Sequence, residues 1–93
     1  MKKEIRMLAA IMFTDMVGYT VMMQEDERKA KALRDRHREV LENLITEHKG
    51  QILQYYGDGT LAIFGSAIEA TICGARIQQE LQSEMRQLSL HWL

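Results

Sequence analysis

The chain has no proline, a single cysteine and a formal net charge of only −1 over 93 residues. Each shortage excludes something. Without proline, and without a low-complexity tract or internal repeat, no linker is visible, and the length suits one small domain. A lone Cys73 cannot form an internal disulfide; it fits a reducing compartment and reads as a small core residue. Near-zero charge, with basic residues spread along a helix instead of massed, argues against a nucleic-acid surface. Long hydrophobic runs are also missing. The stretch Leu8–Phe13 is cut off by Thr14 and Asp15, too short for a membrane span and without a convincing signal-cleavage site. A cytoplasmic protein with no membrane segment is expected.

What is present has clear periodicity. Leu8–Phe13 is an unbroken apolar run, which suits a strand covered on both faces and ended by Asp15 and Gly18. Gly18-Tyr19-Thr20 opens a short helix through about Gln24. From Asp26 to His48, Ala30, Leu33, His37, Val40, Leu41, Leu44, Ile45 and His48 recur at three- and four-residue steps, one apolar stripe of a helix. Asp26 is its expected N-cap and Gly50 its expected stop. Charged residues fill the other faces and read as a solvated surface with i,i+4 pairs such as Glu27–Lys31.

Gln51–Tyr56 and Thr60–Phe64 are strand-like and pair as a hairpin across Gly57-Asp58-Gly59. Ser66, with Glu69 three residues on, predicts a capping box. The helix it opens carries Ala67, Ala70, Gly74, Ile77 and Leu81 on one face. After Met85, "RQLSLHWL" alternates enough for a short final strand. The order β-α-α-β-β-α, with that final β, predicts an α+β fold: an antiparallel sheet with helices on one face.

Two acids stand out. Asp15 follows the first apolar run, Asp58 sits at the hairpin tip, and each has glycine nearby. If the strands Leu8–Phe13 and Gln51–Tyr56 are neighbours, both acids reach one edge of the sheet. Carboxylates about 4 Å apart repel by roughly 1 kcal/mol in water and about 4 at an effective dielectric of 20. A divalent cation offsets that, and oxygen ligands suit magnesium or manganese. Backbone N–H groups at the Gly18-Tyr19-Thr20 helix start offer a phosphate cradle. Each piece also has a plainer explanation, since acids after strands and "GDG" hairpins are common turn chemistry.

"FTDMVGYT", the long charged helix, "GDGTLAIF" and "SAIEATICGARIQQEL" together closely resemble the first half of class III nucleotidyl cyclase catalytic domains, the adenylate and guanylate cyclases, over residues 8–81. The resemblance implies a truncated ferredoxin-like cyclase fold, with residues 1–93 forming a partial domain. It implies two Mg²⁺ or Mn²⁺ ions held by Asp15, Asp58 and the Met16 carbonyl, with Gly18, Tyr19 and Thr20 on the triphosphate. It also implies a homodimer, or a dimer with another cyclase domain, that converts a nucleoside triphosphate, ATP more readily than GTP, to a 3′,5′-cyclic nucleotide and pyrophosphate.

Two departures stand against this pattern. Gln54 occupies the position where many adenylate cyclases place a lysine that reads the base from across the dimer. The family's later hairpin and helix, which supply transition-state contacts, have no counterpart before Leu93. No catalytic residue is therefore assigned, and the 93-residue chain alone is expected to be inactive or nearly so. The alternative is a non-catalytic cyclase-like dimerisation or nucleotide-binding module. A phosphoacceptor domain needs alternating parallel strands and helices, which the hairpin opposes. A diguanylate cyclase normally has two glycines before its hairpin acids, which Tyr56-Gly57-Asp58-Gly59 does not match.

Overall fold

The computed structural model describes residues 9–92, and side chains over residues 9–84. The elements are β1 (Ala10–Asp15), α1 (Tyr19–Glu25), α2 (Glu27–Glu47), β2 (Gln51–Tyr56), β3 (Gly59–Phe64) and α3 (Ala67–Trp92). The Leu8 start expected for the first strand lies outside the described residues.

The three strands form one antiparallel sheet in the order β1-β3-β2. This corrects the expected neighbourhood of β1 and β2: β3 lies between them and pairs with both. The hydrophobic pattern sets which side of a strand is buried but not which strand lies beside it. The helices cover one face, as expected for the ferredoxin-like pattern. Thr60, Ala62 and Phe64 of β3 point into that layer and are buried, as are Val40, Leu41, Leu44 and Ile45 of α2 and Cys73 and Ile77 of α3. Full burial of side chains such as Phe64, Leu41 and Ile45 stabilises by about 1.5–3 kcal/mol each. Burial pushes the Cys73 thiol pKa up, in keeping with a core role.

Four local expectations change. β1 is covered on one face only: Ile11 and Phe13 are 64% and 71% exposed, while Met12 packs against the core. The left-handed residue that ends α2 is Lys49 (φ 61), not Gly50. Lys49 N–H donates to the Thr46 carbonyl (3.1 Å) and Gly50 N–H to the Ile45 carbonyl (2.8 Å), the two bonds of a Schellman motif. The capping box at α3 is half formed. Ser66 Oγ accepts from Glu69 N–H (3.4 Å), but the Glu69 carboxylate turns to His48 Nδ1 (3.0 Å). Ala67 is exposed, and Cys73 takes the central place on the buried face of α3.

The expected final strand is helix instead, because α3 runs on to Trp92. No glycine or proline stands between Gly74 and Trp92 to stop it, and the Gln, Glu, Leu and Met of that stretch are good helix formers.

Candidate functional site

β1 and β3 are in register so that Asp15 faces Gly59. Tyr56 of β2 also pairs with Gly59, which leaves Gly57 and Asp58 as a two-residue loop. Gly57 has φ 48, the left-handed value that the first position of such loops requires. Asp58 is therefore one residue from the partner of Asp15. Asp15 and Asp58 both line one open recess of about 420 Å³, together with Phe13, Thr14, Tyr56, Gly59 and Thr60. Asp15 and Asp58 thus lie at one end of the sheet, related through β3 and not through a β1–β2 contact.

The backbones meet closely here. A Cβ on Gly59 would stand 2.8 Å from the Thr14 carbonyl oxygen and 3.8 Å from Asp15 Oδ1. Asp15 Oδ1 accepts a hydrogen bond from Met16 N–H (2.9 Å), which fixes its direction past the strand end. Thr14 Oγ1 is buried without a hydrogen-bond partner among the described residues. Beneath the site, buried His37 of α2 feels both acids. Burial lowers its pKa from 6.5, while Asp15 and, more weakly, Asp58 pull it back up.

Gly18 precedes α1 in a left-handed conformation (φ 76) and offers no side-chain cap. The Tyr19 hydroxyl accepts a hydrogen bond from Arg34 Nη1 of α2 (3.3 Å), so α1 is braced from below. Thr20 is exposed. Gln54 does not line the recess; it is exposed, opposite Leu61 on β3. Phe13 and Tyr56, both exposed, line the same recess, and Ile11 is exposed two residues before Phe13 on β1.

Some participants were not legible in the sequence. Arg38 Nη2 donates to the Gly57 carbonyl (2.8 Å), and its guanidinium lies 4.5 Å from the Tyr55 ring centroid. The Tyr55 hydroxyl donates to Glu42, and its pKa is pushed up to about 12 by burial and by that carboxylate. The available signal was the i,i+4 pair Arg34 and Arg38 flanking His37. It reads as a solvated charge run unless the facing elements are known.

The donors at the recess are oxygens, the set that Mg²⁺ or Mn²⁺ prefers. Among the described residues no group of three or more His, Cys, Asp and Glu side chains is placed to hold a metal ion. A cation here would rest on two carboxylates plus backbone and ligand oxygens. Among the described residues no helix is long and apolar enough to cross a membrane.

No protein-family model matches the chain. It is 43% identical over 84 residues to a protein named "Putative adenylate cyclase 3" from Rhizobium meliloti (strain 1021), covering 89% of this chain and 14% of that one. It is 34% identical over 73 residues to "Serine/threonine-protein kinase pkn2" from Myxococcus xanthus, covering 76% of this chain and 9% of that one. Among solved structures it resembles the adenylate/guanylate cyclase/hydrolase from Silicibacter pomeroyi, with a TM-score of 0.56 and 29% identity over 85% of this chain and 44% of that one. The chain thus spans less than half of the solved relative and a small part of each curated one.

Proposed function

We propose, from the premise that the chain matches a class III adenylate/guanylate cyclase-like domain in sequence and fold, that these residues act as a nucleotide-binding and dimerisation module without turnover of their own. The observation that carries this is the shared recess of Asp15 and Asp58 at the end of the sheet where α1 begins. In this proposal Asp15, Asp58 and the Met16 carbonyl hold Mg²⁺ or Mn²⁺. The backbone at Gly18, Tyr19 and Thr20 receives the triphosphate, where first-turn N–H groups lack a side-chain cap. The bound cation would neutralise charge on both the carboxylates and the phosphates. Gln54, on the sheet face away from the helices, would meet the base bound by a partner. Exposed Ile11, Phe13 and Tyr56 give that partner, a second copy or another cyclase-type domain, an apolar surface.

In this reading the two carboxylates neutralise a metal–phosphate complex and serve binding, with no donor of their own to a leaving group. A second reading is favoured by the likeness to the Rhizobium protein. The same residues would form part of a complete domain that converts ATP to 3′,5′-cyclic AMP and pyrophosphate.

Calorimetric titration with MnCl₂, with and without a non-hydrolysable ATP analogue, tests the module. Binding should be present in the native chain and lost in Asp15→Asn and Asp58→Asn. Equal binding by all three proteins would remove the shared site. Cyclic nucleotide production by the isolated chain would replace the module with the enzyme.

A further inference from the structure

The loop that carries Asp58 is tied to α2 by contacts that turn geometry makes consequential. In a two-residue hairpin loop, type I′ and type II′ turns differ mainly in the orientation of the peptide joining the two loop residues. Here that peptide is Gly57–Asp58. Gly57 has a positive φ and Asp58 does not, so the loop avoids the I′ arrangement, which needs a positive φ at both positions. An aspartate tolerates the left-handed region, so its residue type alone does not exclude I′. The carbonyl of this peptide accepts the hydrogen bond from Arg38 Nη2 (2.8 Å). Arg38 is itself held, with its guanidinium over Tyr55, whose hydroxyl is engaged one helical turn further along by Glu42.

We infer that Arg38 is a positioning residue: by holding the Gly57 carbonyl toward α2 it fixes the Gly57–Asp58 peptide and aims the Asp58 carboxylate into the recess shared with Asp15. This rests on the proposal that the two carboxylates share a divalent cation. Arg38 itself does not line the recess. Its effect is distinguishable from that of its charge by sign. Removing a nearby positive charge strengthens cation binding by Coulomb's law, whereas freeing the turn weakens it.

The test uses the 93-residue chain. Arg38→Met keeps the stem on Tyr55 and removes the donors; Arg38→Lys restores a charged donor. Should Arg38→Met fail to fold, Arg38→Leu takes its place with the same expectations. Two quantities are measured: Mn²⁺ affinity by calorimetry, and, without metal, the NMR cross-relaxation between the Gly57 α-protons and the Asp58 amide proton, which reports the peptide's orientation.

Arg38→Met should bind Mn²⁺ roughly tenfold more weakly, the scale of one charge-assisted hydrogen bond, and should show an altered Gly57–Asp58 signal. Arg38→Lys should recover much of both. An unchanged NMR signal, or Mn²⁺ affinity that holds or rises in Arg38→Met, overturns the inference. If the native chain shows no Mn²⁺ binding dependent on Asp15 and Asp58, the functional proposal fails by itself. The NMR comparison then still decides whether Arg38 orients the peptide.

Discussion

The two ends of the sheet are built on opposite terms. At the end where β2 begins and β3 finishes, the chain is closed. Lys49 and Gly50 complete the Schellman turn of α2. A Cβ on Gly50 would press into the Phe64 ring (2.8 Å to Cδ2) and the Ile45 side chain (2.9 Å to Cγ2). His48 donates to Glu69 and accepts from Arg76 Nη1 (2.9 Å), which also pairs with Glu47 (3.0 Å), so the end of α2 is fastened to α3. At the other end, Gly18 and Gly57 have nothing within 4 Å of a would-be Cβ, and Val17 is 99% exposed. Arg34 and Arg38, one turn apart on α2, reach out to the start of α1 at Tyr19 and to the hairpin loop at Gly57. Gly50 at the packed end serves close packing; at the open end Gly18 and Gly57 serve backbone conformation, and Gly59 the close approach of β3 to β1. The packed end supports the fold, and the open end leaves room for a ligand.

That contrast can be broken or sharpened by mutation, ordered here by expected effect on folding stability. Gly50→Ala should destabilise most, by about 1–3 kcal/mol from overpacking against buried side chains, read from urea unfolding. Lys49→Gly should stabilise by about 1 kcal/mol in the same measurement, because glycine carries no Cβ penalty at the left-handed φ of 61°. Both changes lie at the packed end and should leave Mn²⁺ affinity unaltered.

Smaller effects are expected toward the open end. Burial holds the His37 pKa below its ordinary 6.5, so the unfolded chain takes up the proton first. The stability from neutral His37 is fully present above pH 6.5 and declines as pH falls from there toward the folded-state value. His37→Gln should flatten that part of the stability–pH curve; an unchanged slope assigns the pH dependence elsewhere. Asp58→Asn should change stability least, by under about 0.5 kcal/mol as for other surface substitutions, while removing Mn²⁺ binding. If it unfolds the chain, the two ends are not separable.

How much of this was legible depends on the type of signal. The apolar stripe from Ala30 to Ile45 predicts both the helix and its buried face, because helical period and burial are the same information. The hairpin follows from Gly57-Asp58-Gly59 between two apolar runs. The final strand was misread because alternation over a few residues is weak, whereas the absence of any helix breaker after Gly74 was the stronger sign. The exposed side of β1 was hidden for another reason: an apolar side chain awaiting a partner looks the same in sequence as one already covered. Arg38 was hidden because its partner, a backbone carbonyl at Gly57, has no sequence signature.

The sequence by itself determined the first five elements, the start of α3 and the buried stripe of α2, because these depend on local periodicity and turn chemistry. Only the tertiary structure decided that β3 lies between β1 and β2, that Asp15 comes to face Gly59, and that Arg38 holds the neighbouring loop. Those are relations between distant segments. They are set by which surfaces pack together and by backbone hydrogen bonds that any residue type but proline can make.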